Sequence, residues 1–422
     1  MAVKYSNEPN GITHHTRFRD ALADAHYRGF RADPRVRVRD EEQFERMRRH
    51  VMTLHEGIDV AHSFVDTSGQ IFDCIPIEQQ LSLRGTRGKL PQPPSLQEVA
   101  GPIAKAGTTS TQAATPPSSG LDRYGNSAEC PAGHIPVRRI TLDEMTRFGT
   151  LEEFQSKGPL QGGETNPSAP VADASKNHRF AYTQQVTANL GAHNFMNIWA
   201  PAVGDKQIFS LAQHWYSGGI GAAHQTLEVG WQVYPGKYGH SQPTLFIFWT
   251  NDNYNTSRNY NLENPGFVQT NSAWKIGGAI SPVSTDGSSQ YELEVGVYLY
   301  QGNWWLYIGG TGAANTVGYF PTSIYNSGAM ATNADQFLMG GETVCEEGGV
   351  WPAMGSGAFA SAGWTHAAYQ RDIFYFPTTG GATYATLDPK LPSPACYTDA
   401  VAKALPPWNV YFFYGGAGGG DC

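Results

Sequence analysis

From residue 178 onward, the chain is a series of short stretches in which apolar and polar positions alternate or apolar residues run together. Val, Ile and aromatic residues dominate these stretches, and Gly, Pro, Asn and Asp separate them. Such spacing is typical of β-strands. No convincing amphipathic pattern of helical length occurs between residues 178 and 385. About a dozen strands of this kind predict an all-β domain, built as an antiparallel sandwich or barrel.

The first 90 residues have a different pattern. In DEEQFERMRRHVMTLHEG, the apolar residues Phe44, Met47 and Val51 recur close to helical spacing, with charged residues between them. The stretches AHSFVDTSGQ and IFDCIPIEQQL follow, and the Thr-Ser-Gly between them is typical of a hairpin turn. We therefore expect a small α+β unit over residues 1–90.

Residues 91–177 are expected to be a linker and cleavage region. Residues 91–125 are rich in Pro, Ser, Thr, Ala and Gly, a composition that cannot bury enough surface to fold. A short helix is predicted over residues 142–154, with Thr141 as its N-cap and Glu144 at the third helical position. The two remaining predicted regions are a β-domain over residues 178–385 and a C-terminal extension over residues 386–422.

Charge and tryptophan are distributed unevenly. The formal net charge is −8, which argues against a nucleic-acid partner. All ten tryptophans lie in the β-rich part, whereas the first 175 residues hold most of the Asp, Glu, Lys and Arg residues. No apolar run is long enough to span a membrane, and the polar N-terminus lacks a signal-peptide core. The two parts of the chain therefore have different physical tasks.

Because acidic residues are scarce in the β-domain, Glu228 stands out. In TLEVGWQVYP it shares one strand face with Gly230, Gln232 and Tyr234, while Leu227 and its apolar neighbours form the opposite, core-facing side. A glycine beside a strand carboxylate leaves room for a substrate backbone. The alternative is a purely structural or exposed glutamate.

Glu342 repeats this arrangement in FLMGGETVC, where Gly340 lies on its face. Two carboxyl groups in one cleft cannot both ionise cheaply, so one stays charged and the other protonated. The charged group can then take a proton from water while the neutral one donates. Such a pair would work best in acid, and the residues alone leave open which glutamate takes which role.

Several other residues are candidates. Gln232, Tyr234, Trp215, Trp249 and Gln290 are predicted to bind substrate, with sheet or core packing as the alternative. No metal and no cofactor are predicted, because the histidines that might suggest a metal are loosely spaced (His214, His224, His240). Of the five cysteines, Cys396 and Cys422 are a candidate disulfide that would tie down the C-terminal tail, and an odd count leaves one thiol over.

These segments resemble the neprosin family, glutamic peptidases that cleave at proline. The matching segments keep family order over about residues 178–376 and include LAQHWYSGG, TLEVGWQVYP, FIFWTNDNY, PGFVQTN, IGGAISPVS, GSSQYELEV, GNWWLYIG, VGYFP, FLMGGETV and MGSGAFA. SGQIFDCIPIEQQ, around Cys74, is similar to the end of the family's activation peptide. The cysteine pair that often precedes GFVQTN in plant members is absent, and the tail ACYTDAVAKALPPWNVYFFYGGAGGGDC, residues 395–422, finds no match.

The resemblance implies a sandwich of two large antiparallel sheets, preceded by a small α+β prosegment. It implies that Glu228 and Glu342 are catalytic and that the chain is a secreted or extracytoplasmic acid endopeptidase made as a zymogen. The expected partners are proline-containing peptides as substrates and the chain's own prosegment as an intramolecular inhibitor. No nucleic-acid or membrane partner is expected.

Two other functions remain open. Paired carboxylates and many tryptophans also suit a glycoside hydrolase. A non-catalytic carbohydrate-binding or surface-binding β-sandwich would place the two glutamates far apart or on opposite faces.

Overall fold

The computed structural model of the chain describes residues 11–86, 88–105, 112–113, 120–158, 177–420 and 422. The helices within these residues are α1 (His15–Ala23), α2 (Tyr27–Phe30), α3 (Glu41–His55), α4 (Leu96–Ala100), α5 (Leu142–Met145), α6 (Leu151–Gln155) and α7 (Pro235–Tyr238). The strands are β1 (His62–Val65), β2 (Ile71–Pro76), β3 (Gln112–Ala113), β4 (His134–Arg138), β5 (His178–Asn197), β6 (Gln207–Gly218), β7 (Gln225–Val233), β8 (Thr244–Thr250), β9 (Asn259–Tyr260), β10 (Val268–Gln269), β11 (Tyr291–Tyr300), β12 (Asn303–Ile308), β13 (Thr316–Pro321), β14 (Ala334–Cys345), β15 (Ala368–Pro377), β16 (Thr383–Tyr384), β17 (Asp388–Lys390), β18 (Thr398–Lys403) and β19 (Val410–Gly415).

The N-terminal part folds as the α+β unit that its pattern predicts. Strands β1, β2 and β4 form an antiparallel sheet, and Cys74 of β2 is joined to Cys130 by a disulfide. The apolar face of α3, with Phe44 and Met47, packs with α5 and α6 in one core. Strand β4 and helices α5 and α6 lie within the stretch assigned to a linker, so ordered structure of this unit continues well past residue 90.

The helix predicted over residues 142–154 is two short helices. Thr141 and Glu144 form the expected capping box at the start of α5. The chain then leaves the helix, and Thr150 caps α6 by accepting a hydrogen bond from the backbone N–H of Glu153. A second N-cap within the predicted segment explains the interruption, because an N-cap residue has extended rather than helical backbone angles.

The predicted sandwich of antiparallel strands is confirmed in the second part of the chain. The strand order is β10-β13-β12-β11-β5-β14-β6-β7-β8-β9. The 20-residue strand β5 belongs to both layers, since residues 178–189 pair with β14 and residues 193–197 pair with β11. Gly191, at the join, has φ +124°, and a Cβ there would lie 2.0 Å from the Val297 carbonyl oxygen. A side chain at this position would therefore obstruct the close strand contact.

The main core lies between the layers. The face of β7 opposite Glu228 contributes Leu227, Val229, Trp231 and Val233, all of them fully buried. Burying a large apolar side chain stabilises a fold by about 1.5–3 kcal/mol, so this face fixes the register of β7. The strand cannot slip by one residue without turning Glu228 into the core.

The C-terminal strands extend the sheet. Strand β17 pairs with β5, and β18 pairs with β19, which itself pairs with β15. The predicted disulfide between Cys396 and Cys422 is formed, and Cys345 is a buried free cysteine. In the part of the chain that the structure describes, every helix is too short or too polar to cross a membrane.

The N-terminal unit is held against the sandwich by polar contacts. The Gln70 amide donates to the Tyr238 carbonyl at 3.1 Å. The Gln80 side chain donates to the Gln269 carbonyl at 2.9 Å and accepts from its N–H at 2.8 Å. These bonds hold the N-terminal unit against the end of α7 and against β10.

Candidate active site

Three adjacent strands bring the two glutamates together. Strand β6 lies between β14 and β7; Glu342 is opposite Leu211 of β6, while Glu228 is opposite Trp215 of the same strand. Gln213 lies between those two positions on β6. It is opposite Gly340 of β14 on one side and Gly230 of β7 on the other. Neighbouring side chains on one sheet face are within reach of each other, so the register gathers both carboxyl groups around Gln213.

A lysine from the end of the N-terminal unit lies between the carboxyl groups. The Lys157 ammonium donates to Glu228 Oε2 at 2.6 Å and to Glu342 Oε2 at 2.7 Å, and it lies 3.3 Å from Gln213 Oε1. Since both oxygens touch one nitrogen, they can be no more than about 5.3 Å apart. We call residues 155–158, which carry this lysine into the site, the strap.

Each carboxylate has further donors of its own. Glu228 Oε1 accepts from the Tyr254 hydroxyl at 2.8 Å and from the Thr226 hydroxyl at 3.0 Å. Glu342 Oε1 lies 2.7 Å from His178 Nδ1, and Glu342 Oε2 also accepts from the Gln213 amide at 3.1 Å. Neutral hydroxyl groups therefore surround Glu228, whereas Glu342 has a neighbour that becomes positively charged when protonated.

The site is shut off from water. Glu228, Glu342 and Lys157 are almost completely buried. Burial alone would lower the pKa of Lys157, but the two carboxylates outweigh this effect and raise it. Burial alone would likewise raise the pKa of Glu342, but the Lys157 charge and the His178 contact hold it below its ordinary value. The buried cation and its partners thus stabilise each other's charged forms.

Aromatic rings line the site. The Lys157 ammonium lies 5.8 Å from the centre of the Trp215 ring and 6.0 Å from the centres of the Phe246 and Phe248 rings. A cation over such ring faces is attracted to them, most strongly when water is excluded. A cleft of about 870 Å³ opens where the strap ends, with Gly158, Asn177 and Tyr234 among its lining residues.

The sequence of this region matches a family model. The model described as Neprosin matches residues 206–417, half of the chain. The chain belongs to the Neprosin family. Membership of this family supports a glutamic peptidase.

The Neprosin match includes Gln213, Glu228, Tyr254 and Glu342, whereas Lys157 precedes it. It also reaches residue 417, so most of the tail predicted to lie outside the resemblance is part of the family region, and that prediction is wrong. The strand pairing of β18 and β19 with the sandwich gives the physical reason, because these strands complete a sheet of the domain.

Among solved structures, Scytalido-glutamic peptidase, crystallised with a peptide-based transition-state analog, is similar to this Neprosin-family chain. Its sequence identity is 10% and its TM-score is 0.30, with 58% of this chain and 98% of that chain covered.

Three of the predicted substrate-binding residues lie near the glutamates. Trp215 is the cross-strand partner of Glu228 and faces Lys157. Gln232 lies further along β7, and its amide donates to the Tyr260 hydroxyl at 3.3 Å. Tyr234 lines the cleft beside the strap. These three side chains extend the site from the carboxyl pair along one sheet face.

The structure does not bring Trp249 and Gln290 to this site. Trp249 is opposite Leu227 on the core side of the sheet and packs in the main core. The Gln290 amide donates to three carbonyl groups, those of Thr285, Ser288 and Thr365, which fix a loop before β11. Both side chains are therefore occupied in packing or in loop structure.

The two glycines have a different role from the predicted one. A Cβ at Gly230 would lie 1.9 Å from the Ala212 carbonyl oxygen, and one at Gly340 would lie 2.3 Å from the Ala181 carbonyl oxygen. Each glycine is needed because a neighbouring strand approaches closely. The space above the carboxylates is instead filled by Lys157.

The histidines considered as metal ligands do not gather at one point. Within the described ranges, the one group with metal-like spacing is His15, His55 and Asp73 in the N-terminal unit. Asp73 is paired there with Arg139, whose Nε donates to it at 2.8 Å. Burial lowers the pKa of His15 to about 4 and that of His55 to about 3. A guanidinium in contact with the carboxylate occupies the position that a cation would need.

Four partners of the glutamates did not stand out from the sequence. Lys157 lies in a loop-like stretch, His178 at the first position of a strand, and Tyr254 after β8 with φ +59°. Gln213 could have been found, since it alternates with Trp215 on β6. Lys157, His178 and Tyr254 become recognisable as site residues only when the chain is folded.

Proposed function

We propose that this protein is an acid-active glutamic endopeptidase that cleaves peptide bonds at proline and is made as a zymogen. The observation that carries the proposal is the sharing of one buried ammonium by Glu228 and Glu342. Two carboxylates this close can hold a single water molecule after the ammonium leaves. Such a spacing suits hydrolysis of either peptide or glycosidic bonds, and family membership favours the peptide.

The proposed reaction uses Glu342 as the base. The His178 contact, which helps to hold the pKa of Glu342 below its ordinary value, would keep this carboxylate charged, so Glu342 takes a proton from the bound water. The hydroxide forms a bond to the carbonyl carbon, and Glu228 gives its proton to the carbonyl oxygen. Glu342 then passes its proton to the amide nitrogen as the C–N bond breaks, and the carbonyl re-forms as Glu228 regains its proton.

Glu228 suits the acid role because its fixed neighbours are neutral. The hydroxyl groups of Tyr254 and Thr226 both bind Oε1, which leaves Oε2 facing the position of Lys157. A proton on Oε2 would therefore point toward the reacting carbonyl. A neutral carboxylic acid in an apolar site is an established way to donate a hydrogen bond during catalysis.

The N-terminal unit is proposed to be the prosegment, and the strap its inhibitory part. Lys157 fills the position between the carboxylates that the proposed mechanism assigns to water. Residues 159–176 are the proposed cleavage region, at positions between the strap and β5. Secretion and the preference for proline follow from the resemblance to the family.

The test is hydrolysis by the full chain after incubation at about pH 4, where carboxyl groups titrate. We expect a fragment that begins within residues 158–176, and cleavage of peptides at proline, with loss of cleavage when that proline is replaced by alanine. Mass spectrometry of the acid-incubated chain and of the cleaved peptides gives the cut sites. Release of reducing sugar from polysaccharides without any peptide cleavage would overturn the proposal.

Replacing Tyr254 by phenylalanine tests the assignment of Glu228. The variant loses one hydrogen bond to a carboxyl group, worth about 1.5 kcal/mol, and we expect kcat to fall about tenfold with KM little changed. Tyr216→Phe is the matched control, since its buried hydroxyl binds the Ala192 carbonyl in the core. Equal losses in both variants would argue against a role for Tyr254 in the reaction.

A further inference from the structure

Lys237 is a second buried lysine beside the active-site face. It lies on α7, directly after β7, and its ammonium donates to Glu263 at 2.9 Å and to the Phe154 carbonyl at 2.8 Å. Its ammonium also lies 4.3 Å from the centre of the Tyr260 ring. Tyr260 in turn binds Gln232 of the Glu228 face. Gln232, Tyr260 and Lys237 therefore form a row at one end of the sheet face that also carries Glu228.

Gln232 has an unused hydrogen-bonding atom in this row. The side chain is completely buried; its Nε2 donates to Tyr260, but its Oε1 has no hydrogen-bond partner among the described residues. A buried amide oxygen without a partner costs roughly 1–3 kcal/mol. Such a group is expected where a ligand completes the bonding.

The groups that cover Lys237 belong to the proposed prosegment. Phe154 lies in the last turn of α6, directly before the strap, and Arg138, which lies 3.4 Å from Glu263, is on β4 of the same unit. When that unit leaves, Lys237 and Glu263 remain together and face the emptied space. Burial lowers the pKa of Lys237 to about 8, so the ammonium stays charged at acid pH.

The spacing between Phe154, which binds Lys237, and Lys157, which binds the carboxyl pair, limits the distance between Lys237 and that pair. Phe154 precedes Lys157 by three residues, which span at most about 10 Å of extended chain. The group that Lys237 binds is a neutral carbonyl oxygen, and Glu263 balances the lysine charge. This chemistry fits a peptide backbone better than a free carboxylate.

We propose that Gln232 and Lys237 form a subsite for the main chain of an extended peptide, two to three residues from the bond that is cut. Gln232 Oε1 accepts from a substrate N–H, and the Lys237 ammonium donates to a substrate carbonyl. The inference rests on the proposed peptidase function. It makes Lys237 a substrate-binding residue whose effect depends on substrate length.

The experiment uses acid-processed full chain and a series of peptides lengthened by one residue at a time on each side of the cut. In the wild type, kcat/KM should rise steeply when one particular residue is added. In Lys237→Met, that rise should shrink at least about tenfold, while the shortest cleaved peptide is hydrolysed at the wild-type rate. Lys237→Arg, which keeps a charged donor, should recover most of the rise.

Two variants protect the test from folding effects. Lys237→Met combined with Glu263→Gln removes both charges, so no carboxylate is left without its lysine. Lys275→Met is the matched control, because Lys275 also faces the N-terminal unit, where its ammonium lies 5.2 Å from the centre of the Phe64 ring. The control should show the wild-type dependence on length.

The outcomes separate the two proposals. Equal loss on short and long peptides, or no change in length dependence, would overturn the subsite while the wild type still cleaves peptides. In that case Lys237 only binds the end of α6 in the unprocessed chain. Failure of the wild type to cleave any peptide would overturn the peptidase function together with the subsite.

Discussion

Replacing Glu342 or Glu228 by glutamine is expected to lower kcat/KM for peptide hydrolysis at least about a thousandfold. Glutamine fills the same volume and can still bind Gln213 or Tyr254, so the sheet should keep its register. It cannot take a proton from water or deliver one to a carbonyl oxygen. In the proposed mechanism, the Glu342 variant loses the base and the Glu228 variant loses the acid.

The measurement is the initial rate on a proline-containing peptide at acid pH, with each variant processed in trans by wild-type enzyme that is then removed. Glu294→Gln is a suitable control, because Glu294 is also on a strand and binds His193 at 3.0 Å, away from the pair. The control should retain activity. Wild-type rates in either active-site variant would refute the catalytic pair.

Lys157→Met is expected to have the second largest effect, in the opposite direction. Methionine has about the same length but no charge, so the two buried carboxylates would lose their shared cation. Breaking a buried ion pair on one side costs about 3–5 kcal/mol, which corresponds to at least about a hundredfold more of the open form. The variant chain should therefore process itself sooner and at higher pH than the wild type.

The pH dependence follows from the shift of Glu342. Its pKa is lowered in the folded chain, so the contact with Lys157 stabilises the closed form above the ordinary carboxyl pKa. That stabilisation is lost as the pH falls below about 4.5 and through the lowered value. Lys157 has a raised pKa and stays protonated throughout. Each proton that Glu342 takes up in acid therefore weakens the strap, while the molecules in which Glu342 is still ionised keep the proposed base.

Processing can be followed on gels as the intact chain is acidified stepwise. The matched control is Lys206→Met, since Lys206 is an exposed lysine that lines the cleft beside the strap and not the carboxyl pair. An unchanged pH threshold in Lys157→Met would mean that the ammonium does not hold the zymogen closed. A lower threshold would contradict the sign of the proposed interaction.

Strand alternation drew attention to Glu228 because β7 has a clear core face, and the resemblance to the family then supplied the prediction that Glu228 and Glu342 are catalytic. Leu227, Val229 and Trp231 are apolar on one side, so Glu228 had to point to the other. Alternation gives no such guide for Trp249, because β8 reads Thr-Leu-Phe-Ile-Phe-Trp-Thr and is apolar on both faces. Alternation cannot choose between two apolar faces, and Trp249 packs in the core.

Contacts between segments that lie far apart in the chain could not be predicted from the sequence. Lys157 meets Glu228 across 71 positions and Glu342 across 185 positions, and no local spacing encodes such a meeting. The extent of the N-terminal unit was underestimated for a similar reason. Strand β4 is ordered by pairing with β2. The amino-acid composition of a segment does not predict that it pairs with a strand elsewhere in the chain.

The position of His178 sets a limit on the proposed removal of the prosegment. This residue is the first of β5 and contacts Glu342, while its neighbours pair with β14 along the central strands. Trimming that stops before residue 178 leaves Glu342, the proposed base, with its histidine. One further residue lost would remove the imidazole and begin to unpair the strand shared by both layers. If the proposed processing occurs, the N-terminus of the processed chain therefore cannot lie beyond His178 without loss of a contact to Glu342.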